Sequence, residues 1–167
     1  GFLGKALVKR LVSMGVTNLV ALSRNEGELV KIKELYPTIR IVPGSVADMT
    51  DVKNAMRGVS GIFHLAAMKH VGLAEEGPRE CVLTNVVGTL NLLEVTRSYE
   101  TDFIVGLSTD KASCVKGVYG ATKLLLERLF IQYSKLNPKT VYRTVRYGNV
   151  WASTGSFVTK WKPKMEK

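Results

Sequence analysis

The chain has 167 residues, 46% of them apolar, with 24 Lys and Arg against 14 Asp and Glu. That length argues for one domain, and the apolar content excludes wholesale disorder. No apolar run is long enough to span a bilayer, Cys81 and Cys114 are too few for a disulfide scaffold and suit a reducing, cytoplasmic setting, and the net charge of +10 asks for an anionic partner, whether nucleic acid or small ligand.

The chain opens at Gly1 without an initiator Met, directly into a helical pattern, and is expected to start inside a structural unit. Leu3, Ala6, Leu7, Leu11 and Met14 share one helical face, with Lys5, Lys9 and Arg10 largely off it. No continuous apolar core follows Lys5, so no secretory leader is expected. Gly15 ends that helix, and Asn18 to Ser23 is a short apolar strand. Glu26 to Tyr36 is an amphipathic helix stopped by Pro37, and Ile39 to Val42 is the next apolar run. Asp48 or Thr50 caps a helix that runs to about Arg57 and closes at Gly58. Gly61 to Ala67 reads as a buried strand, and Pro78 opens one helix that runs to about Tyr99. Phe103 to Leu107 is a strand, Val118 to Leu136 a helix stopped by Asn137-Pro138, and Val141 to Val145 a strand.

Apolar strands separated by helices imply a parallel sheet covered on both faces, the doubly wound nucleotide-binding layout. Ligands in that layout sit at the carboxyl ends of the strands, so the residues just after each strand carry the chemistry. Ser23-Arg24-Asn25 follows the first visible strand, where an Arg can hold a 2′-phosphate; this favours NADP, unless Arg24 is a solvated loop cation. Gly1 and Gly4 precede the first helix, where a backbone free of side chains can approach a pyrophosphate.

The strand ending in Leu107-Ser108-Thr109-Asp110-Lys111 is the most informative, because the next helix begins Tyr119-Gly120-Ala121-Thr122-Lys123. Tyr119 and Lys123 are four apart and share a helix face. A free Tyr has a pKa of about 10, and a nearby ammonium is expected to lower that of Tyr119 towards the value a base needs. Thr109 is placed to orient a substrate alcohol, and no metal site is expected.

Five motifs together make the chain resemble an extended short-chain dehydrogenase/reductase. They are His64-x-Ala66-Ala67-x-Lys69-His70-Val71, Thr84-Asn85, Ser108-Thr109-Asp110-Lys111-Ala112, Tyr119-Gly120-Ala121-Thr122-Lys123, and Arg146-Tyr147-Gly148-Asn149-Val150. More narrowly, the chain resembles the inverting UDP-N-acetylglucosamine 4,6-dehydratases of polysaccharide and flagellar-sugar biosynthesis. Retaining dehydratases carry Asp-Glu where Asp110-Lys111 stands, and 4-epimerases lack such a pair there.

The resemblance implies that Tyr119 takes the proton of the sugar 4-hydroxyl, that Lys111 takes the C5 proton, and that a protonated Asp110 donates to the departing 6-hydroxyl. It places Gly1, Phe2, Gly4, Ser23, Arg24, Glu26, Ser45, Val46, Ala66, Tyr119, Lys123 and Val150 at the cofactor, expected to be NADP, and Lys69, Thr84 and Asn149 at the UDP-sugar. His64, inside a strand, is expected to be packed and hydrogen-bonded rather than catalytic.

Two departures stand out. Gly44-Ser45-Val46 replaces the family's Gly-Asp-Val, and Ala152 to Thr159 differs from its Gly-Ser-Arg-Gly-Ser run. The first strand and the C-terminal half of the family are absent, so residues 1–150 are expected to be a partial NADP-binding Rossmann-like domain and 151–167 the start of a truncated substrate region. Without the first strand its two neighbours lack a hydrogen-bonded partner between them. The full-length form is expected to be a homo-oligomer, and the fragment alone inactive. A 4-epimerase or reductase on the same fold, or a non-catalytic nucleotide-binding remnant, is the alternative. The cations are scattered, with no aromatic-interleaved basic strip, so no nucleic-acid partner is expected; the lysines of Lys160 to Lys167 have no assigned role.

Overall fold

The computed structural model describes residues 1–150, so the expected substrate region at 151–167 and its lysine-rich end lie outside the described residues. Helices and strands alternate: α1 (Phe2–Ser13), β1 (Val20–Ser23), α2 (Glu26–Leu35), β2 (Arg40–Pro43), α3 (Met49–Met56) and β3 (Gly61–His64). Then come α4 (Val71–Glu76), α5 (Pro78–Val82), a π turn (Leu83–Val87), α6 (Gly88–Ser98), β4 (Phe103–Leu107), a 3-10 turn (Asp110–Ala112), α7 (Val118–Leu136) and β5 (Val141–Val145). This is the expected α/β fold, a parallel sheet with helices on both faces, in partial form.

The helix starts follow from side chains that capture free backbone donors. Asn25 Oδ1 accepts from Glu28 N at 3.0 Å to open α2, and Asp48 Oδ1 accepts from Thr50 N at 2.7 Å to open α3. Backbone bonds from Asp51 and then Thr50 hold the Asp48 carboxyl below its ordinary range. Gly58 closes the α3 turn at φ 71, a left-handed conformation that suits glycine.

The strands form two groups. β1 pairs with β2 in parallel, and β3, β4 and β5 form a separate parallel sheet in that order. Residues of β1 and β3 both line one cavity, so the two sheets flank an open slot. This is the arrangement expected if the central strand of the doubly wound order is not supplied. It also explains α1, whose amphipathic pattern is clear but which buries no residue. The main core lies instead on the three-stranded side, where Ile62 and Ile104 meet Val52 and Met56 of α3, Leu93 of α6, and Leu126 and Phe130 of α7. Gly106 makes that packing possible: a Cβ there would stand 2.5 Å from the Phe130 ring.

Three elements differ from the sequence expectation. β3 ends at His64 rather than Ala67, and Val71–Glu76 forms the unexpected α4. The single helix expected from Pro78 to Tyr99 is interrupted by the π turn, which carries buried Thr84 and Asn85. β5, expected to be apolar on both faces, buries only Tyr142.

Candidate active site

The carboxyl ends of β3, β4 and β5 converge on one region. The chain leaving β4 places Thr109, Asp110 and Lys111 in the 3-10 turn region, and the chain leaving β5 runs alongside through Tyr147. Ser108 N donates to Val145 O at 2.8 Å, and Asp110 N donates to Tyr147 O at 3.1 Å, which staples the two exits together. α7 packs against the same turn because residue 120 is glycine: a Cβ there would meet Lys111 O at 2.7 Å. Glu75 of α4 opens α7 by accepting from Val118 N at 2.7 Å, one residue before Tyr119.

The result is a chain of polar contacts. The Thr109 hydroxyl lies between two acceptors, the Tyr119 oxygen and Asp110 Oδ1 at 2.9 Å, and its single proton serves one of them at a time. The same carboxylate oxygen accepts from Lys111 Nζ at 3.1 Å. The order is therefore Tyr119, Thr109, Asp110, Lys111.

Electrostatics modify two sequence expectations. Burial raises the pKa of Tyr119, Tyr147 and Asp110 add to the rise, and only the Thr109 hydrogen bond opposes it. The expected lowering by Lys123 does not occur, because that ammonium is itself buried, is pulled down to about 8 by desolvation, and donates to Leu107 O at 2.7 Å. The hydrogen bonds from Thr109 and then Lys111 hold Asp110 below its usual range, the opposite direction from the one a protonated acid needs.

A cavity of about 1540 Å³ runs from the slot to these residues. Of the expected cofactor residues, Gly1, Phe2, Gly4, Ser23, Arg24, Glu26, Val46, Ala66, Tyr119 and Val150 line it; Ser45 and Lys123 do not. Lys69, Thr84 and Asn149 line it, as do Thr109 and Lys111, whereas Asp110 stands outside. The start of α1 opens on the cavity, and a Cβ at Gly1 would meet nothing within 4 Å. The residues present thus fit a dinucleotide in size and in polar character.

Sequence reasoning assigned no role to Asn85, Glu75 or Tyr147. Asn85 ties the loop before α4 to the buried interior: Oδ1 accepts from Met68 N at 2.8 Å, and Nδ2 donates to Met68 O and to Thr122 Oγ1. Its position beside Thr84 was the only signal.

His64 is packed and hydrogen-bonded, as expected. Thr89 Oγ1 spends its proton on Asn85 O at 2.6 Å, so His64 Nε2 donates to Thr89 at 3.0 Å and Nδ1 has no partner among the described residues. Burial, aided by the Lys123 charge, pushes its pKa down to about 3. The unfolded chain binds a proton near pH 6.5 that the fold refuses, so stability falls as pH drops below 6.5. Between pH 6.5 and 5, before carboxylates titrate, the slope is expected to reach at most ~1.4 kcal/mol per pH unit. Denaturant titrations of the protein and of His64→Gln check this; equal acid slopes in both would contradict it.

The model of the family described as polysaccharide biosynthesis protein matches residues 1–167. The chain belongs to that family. Within its wider relatives, the chain is similar to the Uncharacterized membrane protein MJ1061 of Methanocaldococcus jannaschii, at 40% identity over 100% of this chain and 51% of that protein. It is 36% identical to an inverting UDP-N-acetylglucosamine 4,6-dehydratase of Campylobacter jejuni over 97% of this chain and 50% of that one. The solved structure of Pen from Bacillus thuringiensis superposes with a TM-score of 0.94 at 30% identity, covering 100% of this chain and 53% of that chain. The chain therefore spans about half the length of the curated relatives it matches.

The NADP expectation is overturned by solved structures similar to this chain. Similar solved structures described with a nicotinamide cofactor carry NAD. A dTDP-glucose 4,6-dehydratase from Streptomyces venezuelae has NAD and DAU bound (TM-score 0.77, 24% identity, 87% of this chain and 52% of that one). A UDP-glucose 4-epimerase from Thermus thermophilus is in complex with NAD (TM-score 0.76, 23% identity, 90% and 53%). The expectation rested on Arg24, which sits exposed at the cavity rim, where a cation is solvated without any phosphate to hold it.

No helix among the described residues is long and apolar enough to cross a membrane.

Proposed function

We propose that this chain is the cofactor-binding and catalytic part of an NAD-dependent enzyme that removes water from a UDP-N-acetylhexosamine across C4 to C6, with inversion at C5. The observation that carries this reading is the Asp110–Lys111 pair, held 3.1 Å apart and coupled through Thr109 to Tyr119. A 4-epimerase needs one group to take and return the 4-hydroxyl proton. Dehydration needs two more, a base for C5 and an acid for the 6-hydroxyl, and this pair supplies both in one place.

Residues at the start of α1 and in the Ser23 to Glu26 loop would hold NAD, with Tyr119 and the Ala66 segment at its reactive end. Bound NAD supplies the capacity to take hydride from C4 and give it back at C6. Tyr119 receives the 4-hydroxyl proton as the phenolate, its own proton having first left to solvent, and the Thr109 hydrogen bond favours that charged form. The 4-ketone acidifies the C5 proton.

Lys111 as an ammonium cannot take that proton, and Asp110 as a carboxylate cannot give one. A single proton moving from Nζ to Oδ1 within the pair converts it to neutral amine and carboxylic acid. In water the ion pair wins. A bound sugar nucleotide that excludes water favours the neutral pair, because desolvation penalises both charges. The amine then removes the C5 proton, and the carboxylic acid protonates the departing oxygen.

The second reading, 4-epimerisation, is favoured by the similarity to the UDP-glucose 4-epimerase of Rickettsia rickettsii, at 34% identity over 95% of this chain and 49% of that protein. The homo-oligomer expected for the full-length protein stays part of the proposal, with Leu125, Ile131 and Leu136 of α7 exposed for it. Incubating the intact protein with UDP-N-acetylglucosamine and NAD is expected to give a product lighter by one water. A product of unchanged mass with a new stereocentre at C4 would replace dehydration by epimerisation.

A further inference from the structure

Tyr119, Lys123 and Glu127 are successively four residues apart on α7 and so share one face. The first reaches the cavity, and the second donates to Leu107 O at 2.7 Å. The third meets the next step of both chains leaving the sheet. Ser108 Oγ donates to Glu127 Oε1 at 2.5 Å. Arg146 donates from Nε to Oε1 at 2.7 Å and from Nη2 to Oε2 at 2.6 Å, a fork on both carboxylate oxygens.

None of these three side chains, Ser108, Glu127 and Arg146, is among those lining the cavity. Their neighbours in sequence are. Thr109 and Lys111 follow Ser108, and Tyr147 and Asn149 follow Arg146; all four line the cavity. The backbone bonds from Ser108 N to Val145 O and from Asp110 N to Tyr147 O run beside this junction. A bidentate fork fixes the plane of the carboxylate as well as its distance, so it sets the orientation of one exit against the other. The Glu127 side chain is 11% exposed and the Arg146 side chain 48% exposed, so the carboxylate is the fixed centre and the guanidinium closes over it.

We propose that Glu127 is a positioning residue: its carboxylate ties α7 to the exits of β4 and β5 and thereby sets the spacing between the Thr109–Lys111 turn and the Tyr147–Asn149 segment. The proposal rests on the dehydratase reading for its kinetic consequence and on geometry alone for its structural one. The ion pair at Glu127 and Arg146 is therefore worth more in catalytic alignment than in stability, for a partly exposed pair contributes little to folding.

The test is Arg146→Lys in the intact protein, which keeps the charge and loses the fork. With UDP-N-acetylglucosamine and NAD, kcat is expected to fall about tenfold or more while KM stays within about threefold. Independently of turnover, amide hydrogen exchange is expected to accelerate at Ser108 and Asp110 and to stay unchanged at Ile62 and Ile104. Glu127→Gln, which keeps the shape and loses the charge, should move both readouts in the same direction. Unchanged exchange at Ser108 and Asp110, or exchange that accelerates equally throughout the core, overturns the proposal. Tyr119→Phe separates the two layers. If it abolishes turnover while Arg146→Lys retains full kcat, the positioning role fails and the dehydratase reading stands. If Tyr119→Phe retains turnover, the catalytic reading fails and the exchange result alone decides the tie.

Discussion

Tyr119→Phe is expected to lower kcat by about three orders of magnitude, within the range that one positioned proton acceptor supplies. The phenol is buried, it shares a hydrogen bond with Thr109, and it lines the cavity beside Lys111. Removing only its oxygen leaves the ring packed near Ala74 and Cys81, so folding is expected to survive. Binding of NAD, followed by fluorescence titration, should change little by comparison. The raised pKa of Tyr119 sharpens the expectation: an unassisted phenol cannot act as a base near neutral pH, so its neighbours matter. Thr109→Val should therefore reproduce much of the loss. Tyr147 is the one alternative phenol among the described residues lining the cavity, and it is also raised by burial. Turnover retained in Tyr119→Phe and lost in Tyr147→Phe would exchange the two assignments.

Lys111→Ala is expected to stop the reaction at a different place. Oxidation at C4 needs Tyr119 and remains, so reduced cofactor should build up on mixing with UDP-N-acetylglucosamine. Removal of the C5 proton needs Lys111, so exchange of that proton with deuterated solvent and formation of the dehydrated product should fall by roughly two to four orders of magnitude. Lys111→Arg should not rescue either, because a guanidinium keeps its proton. The Asp110–Lys111 ion pair is solvent-exposed, so losing it should leave stability almost unchanged. Normal C5 exchange in Lys111→Ala would remove Lys111 from the mechanism and with it the reason for preferring dehydration to epimerisation.

Much of this arrangement is legible in the sequence where punctuation and periodicity agree. Phe103–Leu107, Val118–Leu136 and Val141–Val145 have the bounds that their apolar runs and the Asn137-Pro138 stop predict. The Pro78 to Tyr99 region keeps helical periodicity throughout, and a π turn adds a residue without breaking that pattern. α4 is only six residues long, too short for periodicity to register.

At the site, the Tyr119 and Lys123 spacing placed both residues on one face, but not the direction of the Tyr119 shift. That direction is set by burial, and the ammonium meant to oppose it is spent on the Leu107 carbonyl, 16 positions earlier in the chain. Glu127 extends the same four-residue spacing, yet its partners Ser108 and Arg146 come from two different strand ends, which no local pattern joins. NADP was inferred from Arg24 and from the family resemblance of the Ser23 to Glu26 loop, and an exposed arginine fits water as well as it fits a phosphate.

The slot between β1 and β3 has a consequence for ligand affinity. Both bordering strands belong to parallel sheets, so a strand that seats between them and runs parallel to both continues each hydrogen-bonded ladder at once. The same opening is continuous with the cavity that reaches Tyr119. Whatever closes the sheet therefore also floors the pocket, and the two events are thermodynamically linked. Cofactor affinity becomes a gauge of sheet closure, and saturating cofactor is expected to protect the facing amides of Val20–Ser23 and Gly61–His64 most.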